Sequence, residues 1–276
     1  MPIPAFRPSR LTAGAALLLA AAVGLGCSTT AGSGSPAPAR SSAAPQAGPR
    51  PRATATPAQA RGKTVVLDPG HDGGNGAHPE VINRQVPAGD GRRKPCNTTG
   101  TATDAGYPEH AFNWDVARRV RTILAGDGVR VVLTRSTDTG VGPCVDRRAE
   151  IGNRARAAAV VSIHGDGAAT GHGFQVIQAT GDPAGPRIAA ASRRLAVDVH
   201  DRLRVHTGLT TATYIGRNGY SIRSDLGGLN LSVRPSVLVE CGNMRDPGDA
   251  RLMSSRAGRQ RIAAALAAGI VAFLSG

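Results

Sequence analysis

The chain has 276 residues, of which 41% are hydrophobic and only 3% aromatic, and a formal net charge of +14. Six arginines and no acid lie in residues 1–61, so the remainder carries about +8, and Lys63 and Lys94 are the only lysines. The arginines are scattered, and three Tyr, four Phe and one Trp leave few rings for stacking bases, which argues against a nucleic-acid partner.

Arg7 and Arg10 precede an apolar stretch of small residues from Leu11 to Gly26. It is short for a membrane span, which needs ~20 apolar residues, and reads as an export signal; an uncleaved anchor is the alternative. Cys27 follows directly, as at a lipoprotein cleavage site, although Gly24 stands where such sites prefer an aliphatic residue. Residues 1–27 are therefore expected to be an export signal, with either a lipid anchor on Cys27 or plain secretion. Residues 28–62 are dominated by Ser, Ala, Pro, Gly and Thr, with Arg the only charge. Such a segment buries too little to offset its ordering entropy and is expected to be a disordered linker, spanning roughly 30 Å.

Residues 63–276 remain as one domain. "KTVVLDPG" is a first strand, and "PEHAFNWDVARRVRTILAGDG" a helix with Phe112, Val116, Val120, Ile123 and Leu124 at helical spacing. Then come the strand "VRVVLTR", the helix "VDRRAEIGNRARAAA" and the strands "VVSIHGDG" and "GFQVIQA". The helix "RIAAASRRLAVDVHDRLRV", the strand "PSVLVECGNM" and the helix "RQRIAAALAAGIVAFLSG" complete the chain. Strands alternating with helices predict a single α/β domain, a mainly parallel twisted sheet with helices on both faces.

In such sheets ligands bind beyond the carboxyl ends of the strands. Three strands here end in ionisable groups: His71 in "LDPGH", His164 in "SIHGDG" and Glu240 in "LVECG". Glu109 lies in the first turn of the helix that returns from the first strand, so it shares that edge. Two histidines and a carboxylate form a catalytic zinc set, with water completing the coordination. His110 points about 100° away from Glu109 on the helix and is not the expected ligand. Taken singly, each has an ordinary explanation: a turn after a strand, a helix-dipole carboxylate for Glu109, an arginine partner for Glu240. Together they suit hydrolysis of an amide, with Glu240 taking a proton from water and returning it to the leaving amine.

Cys96 and Cys144 lie in loop contexts of an exported protein and are expected to form a disulfide, worth roughly 4 kcal/mol in the chain-entropy model. Cys241, in a strand, is expected to be a buried free thiol, and no cysteine spacing suggests a zinc site. The insert of residues 75–106 joins the strand bearing His71 to the helix bearing Glu109. Loops of this length are commonly functional, and a lid over the site is expected ahead of a substrate wall or a loose excursion.

"VVLDPGHDGG", Glu109, "VVSIHGDG" and "PSVLVECGNM", arriving in that order, resemble the zinc-dependent N-acetylmuramoyl-L-alanine amidases of the amidase_3 group. "LTRSTD" and "RRAEIGNRARA" fit the same group, and the resemblance spans residues 63–276. "HGDG" after the third strand and "ECGNM" after the last depart from the usual pattern but spare the four chemical groups. The resemblance implies one zinc ion on His71, Glu109 and His164, with Glu240 as catalytic acid/base, cleaving the bond between N-acetylmuramic acid and L-alanine. It implies peptidoglycan or muropeptide fragments as partners, a monomer, and a place in the cell envelope, the periplasmic space or the medium. An acidic wall polymer also suits a basic exported domain. Two alternatives remain at this point: a zinc peptidase cutting within the stem peptide, and a wall-binding lipoprotein without turnover.

Overall fold

The computed structural model describes residues 57–276. The expected export signal, Cys27 and the expected linker as far as residue 56 lie outside the described residues. The expected linker boundary at residue 62 is too late. Pro57–Ala60 form a helical turn, α1, and Ala60 is fully buried in the main core.

The chain continues through β1 (Thr64–Pro69), a 3-10 turn (Asn75–Ala77), α2 (Pro79–Ile82), β2 (Gln85–Gly89), β3 (Arg92–Pro95) and α3 (Glu109–Gly126). Then follow β4 (Arg130–Leu133), α4 (Val145–Arg154), β5 (Ala159–Asp166), β6 (Gln175–Ala179) and α5 (Pro186–His206). The last elements are β7 (Tyr220–Arg223), α6 (Gly227–Asn230), β8 (Ser236–Asn243), α7 (Pro247–Ser254) and α8 (Arg256–Ser275).

Six strands form one sheet in the order β4-β1-β5-β8-β6-β7. β4, β1, β5 and β8 run parallel, β6 is antiparallel to β8, and β7 is parallel to β6. The central strands read as near-continuous apolar runs because both faces are covered. Ala159, Val161 and Ile163 of β5, with Val237, Val239 and Cys241 of β8, join α3, α5 and α8 in the main core. The alternate residues face the other way: Val66 and Val160 pack under Ile151 of α4, and Ile177 and Leu238 under Leu229 of α6. The α4 and α6 cover is thin. Between these two helices lies a cleft of about 430 Å³, floored by Val160, Ser162 and His164 on β5 and by Ser236, Leu238 and Glu240 on β8.

α8 is long and apolar enough to cross a membrane by composition, but 67% of its most apolar window is buried and it packs against α3 and α5. It is a core helix. The pattern of the sequence does not show β2, β3, β7 or the short helices α6 and α7.

The insert of residues 75–106 is a wall of the cleft rather than a lid across it. The β2–β3 hairpin turns at Gly89–Gly91 and is anchored on α6, where Asn230 Nδ2 donates to Ala88 O at 2.9 Å. Lys94 Nζ donates to Asp225 O at 2.9 Å. A disulfide joins Cys96 to Cys144 at the start of α4, and Val145 N donates to Cys96 O at 2.9 Å. Gly89 and Gly91 serve the tight turn, and Pro87 and Pro95 lie on the two-stranded ribbon.

α5 and α8 touch at Gly269, where a Cβ would lie 2.7 Å from Val199 Cα and 2.9 Å from Asp198 O. Gly269→Ala improves helix propensity by about 1 kcal/mol, but the backbone contact forces the helices apart at a cost of about 1–3 kcal/mol. The clash wins because the obstructing atoms are main chain. Urea denaturation is expected to show a net loss of stability for Gly269→Ala.

Candidate metal centre

β1 ends at Pro69, and two residues later His71 takes a left-handed backbone with φ 58. Only glycine adopts that conformation readily, so the surroundings must hold it. Arg148 of α4 does so. Its guanidinium donates to three main-chain carbonyls, Pro69 at 2.7 Å, His71 at 2.9 Å and Pro143 at 2.8 Å. It also donates to Asp68 Oδ1 at 2.6 Å. Thr134 Oγ1 at 2.6 Å and Ser162 Oγ at 2.7 Å complete the shell of Asp68. Burial pushes the Asp68 carboxyl up, but the Arg148 charge and these hydrogen bonds outweigh it and hold the group below the usual carboxylate range.

His71, Glu109 and His164 meet above this network. Their candidate ligand atoms all lie within 4.8 Å of one another. Glu109 Oε1 is 3.1 Å from His71 Nε2 and 2.9 Å from His164 Nδ1. His71 Nδ1 is 2.9 Å from Thr98 O, to which it donates, and this leaves the Nε2 lone pair facing the cluster. Glu109 Oε2 accepts from Thr101 N at 2.9 Å, and Oε1 from Gly165 N at 3.2 Å. The His164 ring rests on Gly70, where a Cβ would lie 2.1 Å from His164 Cε1. Burial pushes the Glu109 carboxyl up, but the charges and hydrogen bonds of His71 and His164 hold it well below the usual range. Burial likewise lowers the His71 imidazole, and Glu109 more than reverses that and raises it. Two imidazole nitrogens and a carboxylate oxygen converging in a part-buried site fit a borderline divalent cation such as zinc.

Glu240 is the register partner of His164 across the β5–β8 ladder. Its Oε2 is sealed from solvent and has no hydrogen-bond partner. Burial raises its carboxyl well above the usual range, and the charges of Glu109 and Asp166 add to the effect. Asp166 also lines the cleft, and its Oδ2 accepts from Tyr214 Oη at 2.9 Å and Gln175 Nε2 at 3.2 Å. His110 lies outside the cluster, with Nδ1 3.0 Å from Asp138 Oδ2.

The structure thus brings His71, Glu109 and His164 together, with Glu240 beside them on the same face of the sheet. Sequence reasoning missed Thr98, Thr101, Arg148 and Asp166. Thr101 acts through its main-chain N–H and Thr98 through its carbonyl, with Thr98 Oγ1 also 3.2 Å from His71 Nδ1, and main-chain atoms carry no residue signal. Arg148 stood in a helix as one arginine among many, and Asp166 was visible only as the Asp of "HGDG".

An α/β sheet with such a donor set at its strand ends and a separate carboxylate alongside has the make-up of a metal-dependent hydrolase. The chain belongs to the N-acetylmuramoyl-L-alanine amidase family, Amidase_3, whose family model matches residues 65–272. It is 46% identical over 220 residues to N-acetylmuramoyl-L-alanine amidase Rv3717 of Mycobacterium tuberculosis, covering 79% of this chain and 89% of that protein. The crystal structure of the amidase Ami1 from Mycobacterium smegmatis is 48% identical with a TM-score of 0.74, covering 78% of this chain and 98% of that one. Ami1 from Mycobacterium abscessus, in its apo form, is 49% identical with a TM-score of 0.74, covering 78% of this chain and all of that one.

Cys241 is fully buried and free, on the opposite face of β8 from Glu240. Burial, reinforced by the Glu240 charge, pushes its thiol far up, so almost no thiolate forms at neutral pH. Peptide mapping after treatment with a maleimide is expected to find Cys241 unmodified in the native protein and modified in denaturant. Native labelling would mean that β8 opens far more readily than this packing implies.

Proposed function

We propose that the chain is an exported, zinc-dependent peptidoglycan amidase that hydrolyses the amide between the lactyl group of N-acetylmuramic acid and L-alanine of the stem peptide. The observation that carries this reading is Glu240, a part-buried carboxylate whose sealed Oε2 has no hydrogen-bond partner, in register with His164 beside a three-donor cluster, in a chain of the amidase family. His71 Nε2, Glu109 and His164 Nδ1 would hold one zinc ion. When bound, the ion lowers the pKa of a water and polarises the scissile carbonyl.

The chain's own groups supply the rest. Thr98 O fixes the tautomer of His71, and Thr101 N and Gly165 N fix the rotamer of Glu109. Glu240 accepts a proton from the attacking water as the C–O bond forms. It returns that proton to the departing α-amine as the C–N bond breaks, leaving a lactyl carboxylate and a free L-alanine amino terminus. Ser162 and the apolar floor of the cleft leave room for the substrate between α4 and α6.

Digestion of purified muropeptides tests the reading. New L-alanine amino termini on intact stem peptides are expected. Cuts inside the peptide would favour the peptidase reading, and no change the wall-binding lipoprotein. The family's cell-wall relatives support an envelope or exported location, to which the proposed signal in residues 1–27 would direct the chain. A lipid on Cys27 would tether it there, and mass measurement of the mature amino terminus decides between tether and secretion.

Metal analysis separates the roles. His71→Ala, Glu109→Ala and His164→Ala are each expected to lose zinc, whereas Glu240→Gln keeps it and loses turnover by about 10²–10⁴-fold. Full zinc in His164→Ala would overturn the ligand set.

Gly70→Ala probes the support of His164. The added methyl must displace the ring, so zinc affinity is expected to fall by about 10–100-fold in a folded protein. Competition with a chelating dye measures this without reference to activity.

A further inference from the structure

A second surface hollow, of about 770 Å³, lies between α3 and the edge strand β4. It begins at Asp72, the residue after His71, and runs past Trp114, Arg118 and Arg121 of α3. These three recur at i, i+4 and i+7 and so form one stripe, spanning about 10 Å of helix axis. Trp114 is the chain's one tryptophan, and it lines this hollow rather than filling the core. Arg135 lies over its ring at 5.0 Å, and Arg135 is itself fixed by donation to Thr137 O at 2.7 Å, Asp138 Oδ1 at 2.8 Å and His110 O at 2.9 Å. One face of the indole therefore rests on a guanidinium that is itself held in place. Arg119 pairs with Asp115 at 2.8 Å, but Arg118 and Arg121 pair with no acid among the described residues. Both are exposed.

We propose that this hollow is a binding site for a glycan strand bearing carboxylates, separate from the cleft in which the amide is cut. An aromatic face beside two unpaired guanidinium groups suits a sugar ring with an acid near it. Guanidinium groups take carboxylates by bidentate hydrogen bonds, and an indole presents a flat apolar surface. The ligand's chemistry rests on the proposed reaction. Each hydrolysis breaks a C–N bond, forms a C–O bond, and turns an uncharged lactyl amide into a lactyl carboxylate on the strand. Each processed sugar thus carries a carboxylate directly on its lactyl group, no longer shielded by a stem peptide, and Arg118 and Arg121 are placed to hold the processed part next to the loop that carries His71.

Trp114 makes the test direct, since all tryptophan emission comes from the hollow. Peptide-free glycan strands with free lactyl carboxylates are titrated into the full chain, so binding is read without turnover. A saturable change in emission is expected, weakening as salt is raised. Arg118→Ser with Arg121→Ser is expected to raise the Kd about tenfold, and methyl esterification of the strand to do the same. Arg202→Ser with Arg204→Ser, an equal charge change on the exposed face of α5, is expected to alter it by less than about twofold. The proposal is overturned if emission does not change, if both arginine pairs weaken binding equally, or if esterified strands bind as well as acidic ones. Cleavage of soluble muropeptides, measured alongside, is expected to be unchanged in both double variants. If the wild type fails to cleave but still binds strands as described, the assigned reaction falls and the glycan site stands.

Discussion

Arg148 reaches from α4 to the end of β1 and meets Asp68 there, with both groups buried. The rest of the site depends on this pair. A buried guanidinium without a partner is costly, and so is a buried carboxylate, so each needs the other in place. Once paired, Arg148 still has donors left, and these go to the carbonyls of Pro69, His71 and Pro143. Those carbonyls define the turn on which His71 adopts its left-handed backbone. A charge pair in the sheet thus sets the position of an imidazole at its edge. The main-chain grip also explains why lysine is a poor substitute at this position: a point charge cannot serve several carbonyls in one plane.

The second level of control is steric. The His164 ring lies against Gly70, so the two histidines approach each other from adjacent strands with a glycine as the only spacer. Their rings stand nearly perpendicular, at 84°, with centroids 4.9 Å apart. Glu109 comes from a helix start and is secured by main-chain donors of the insert and of β5. Each of the three groups is anchored by a different kind of neighbour: a carbonyl, a glycine and two amides.

Much of this edge was readable in the sequence because parallel strands announce themselves by apolar runs and end abruptly in polar residues. His71, His164 and Glu240 each sit where such a run stops, and Glu109 follows from the way a helix must return after a strand. The hairpin of β2 and β3 was not readable, since Gln85–Gly89 and Arg92–Pro95 alternate too little apolar character to mark strands. Its stability comes from the disulfide and from contacts with α6 that are remote in sequence. β7 is an edge strand of four residues in which apolar Ile222 is exposed and polar Ser221 is buried, so its pattern runs against its burial. The linker boundary failed for a related reason. An alanine carries almost no signal of burial, yet Ala60 fills a place in the core.

His164 and Glu240 are direct neighbours across a parallel ladder, on the same side of the sheet. Their separation is therefore set by the spacing between strands, about 4.8 Å, rather than by any loop. Loops lengthen, shorten and drift in evolution, whereas strand spacing is a constant of peptide geometry. Descendants of this chain could rebuild the insert and the cleft walls without disturbing the interval between His164 and Glu240. The reactive centre is in this sense inherited from the backbone, and specificity is the part left free to vary.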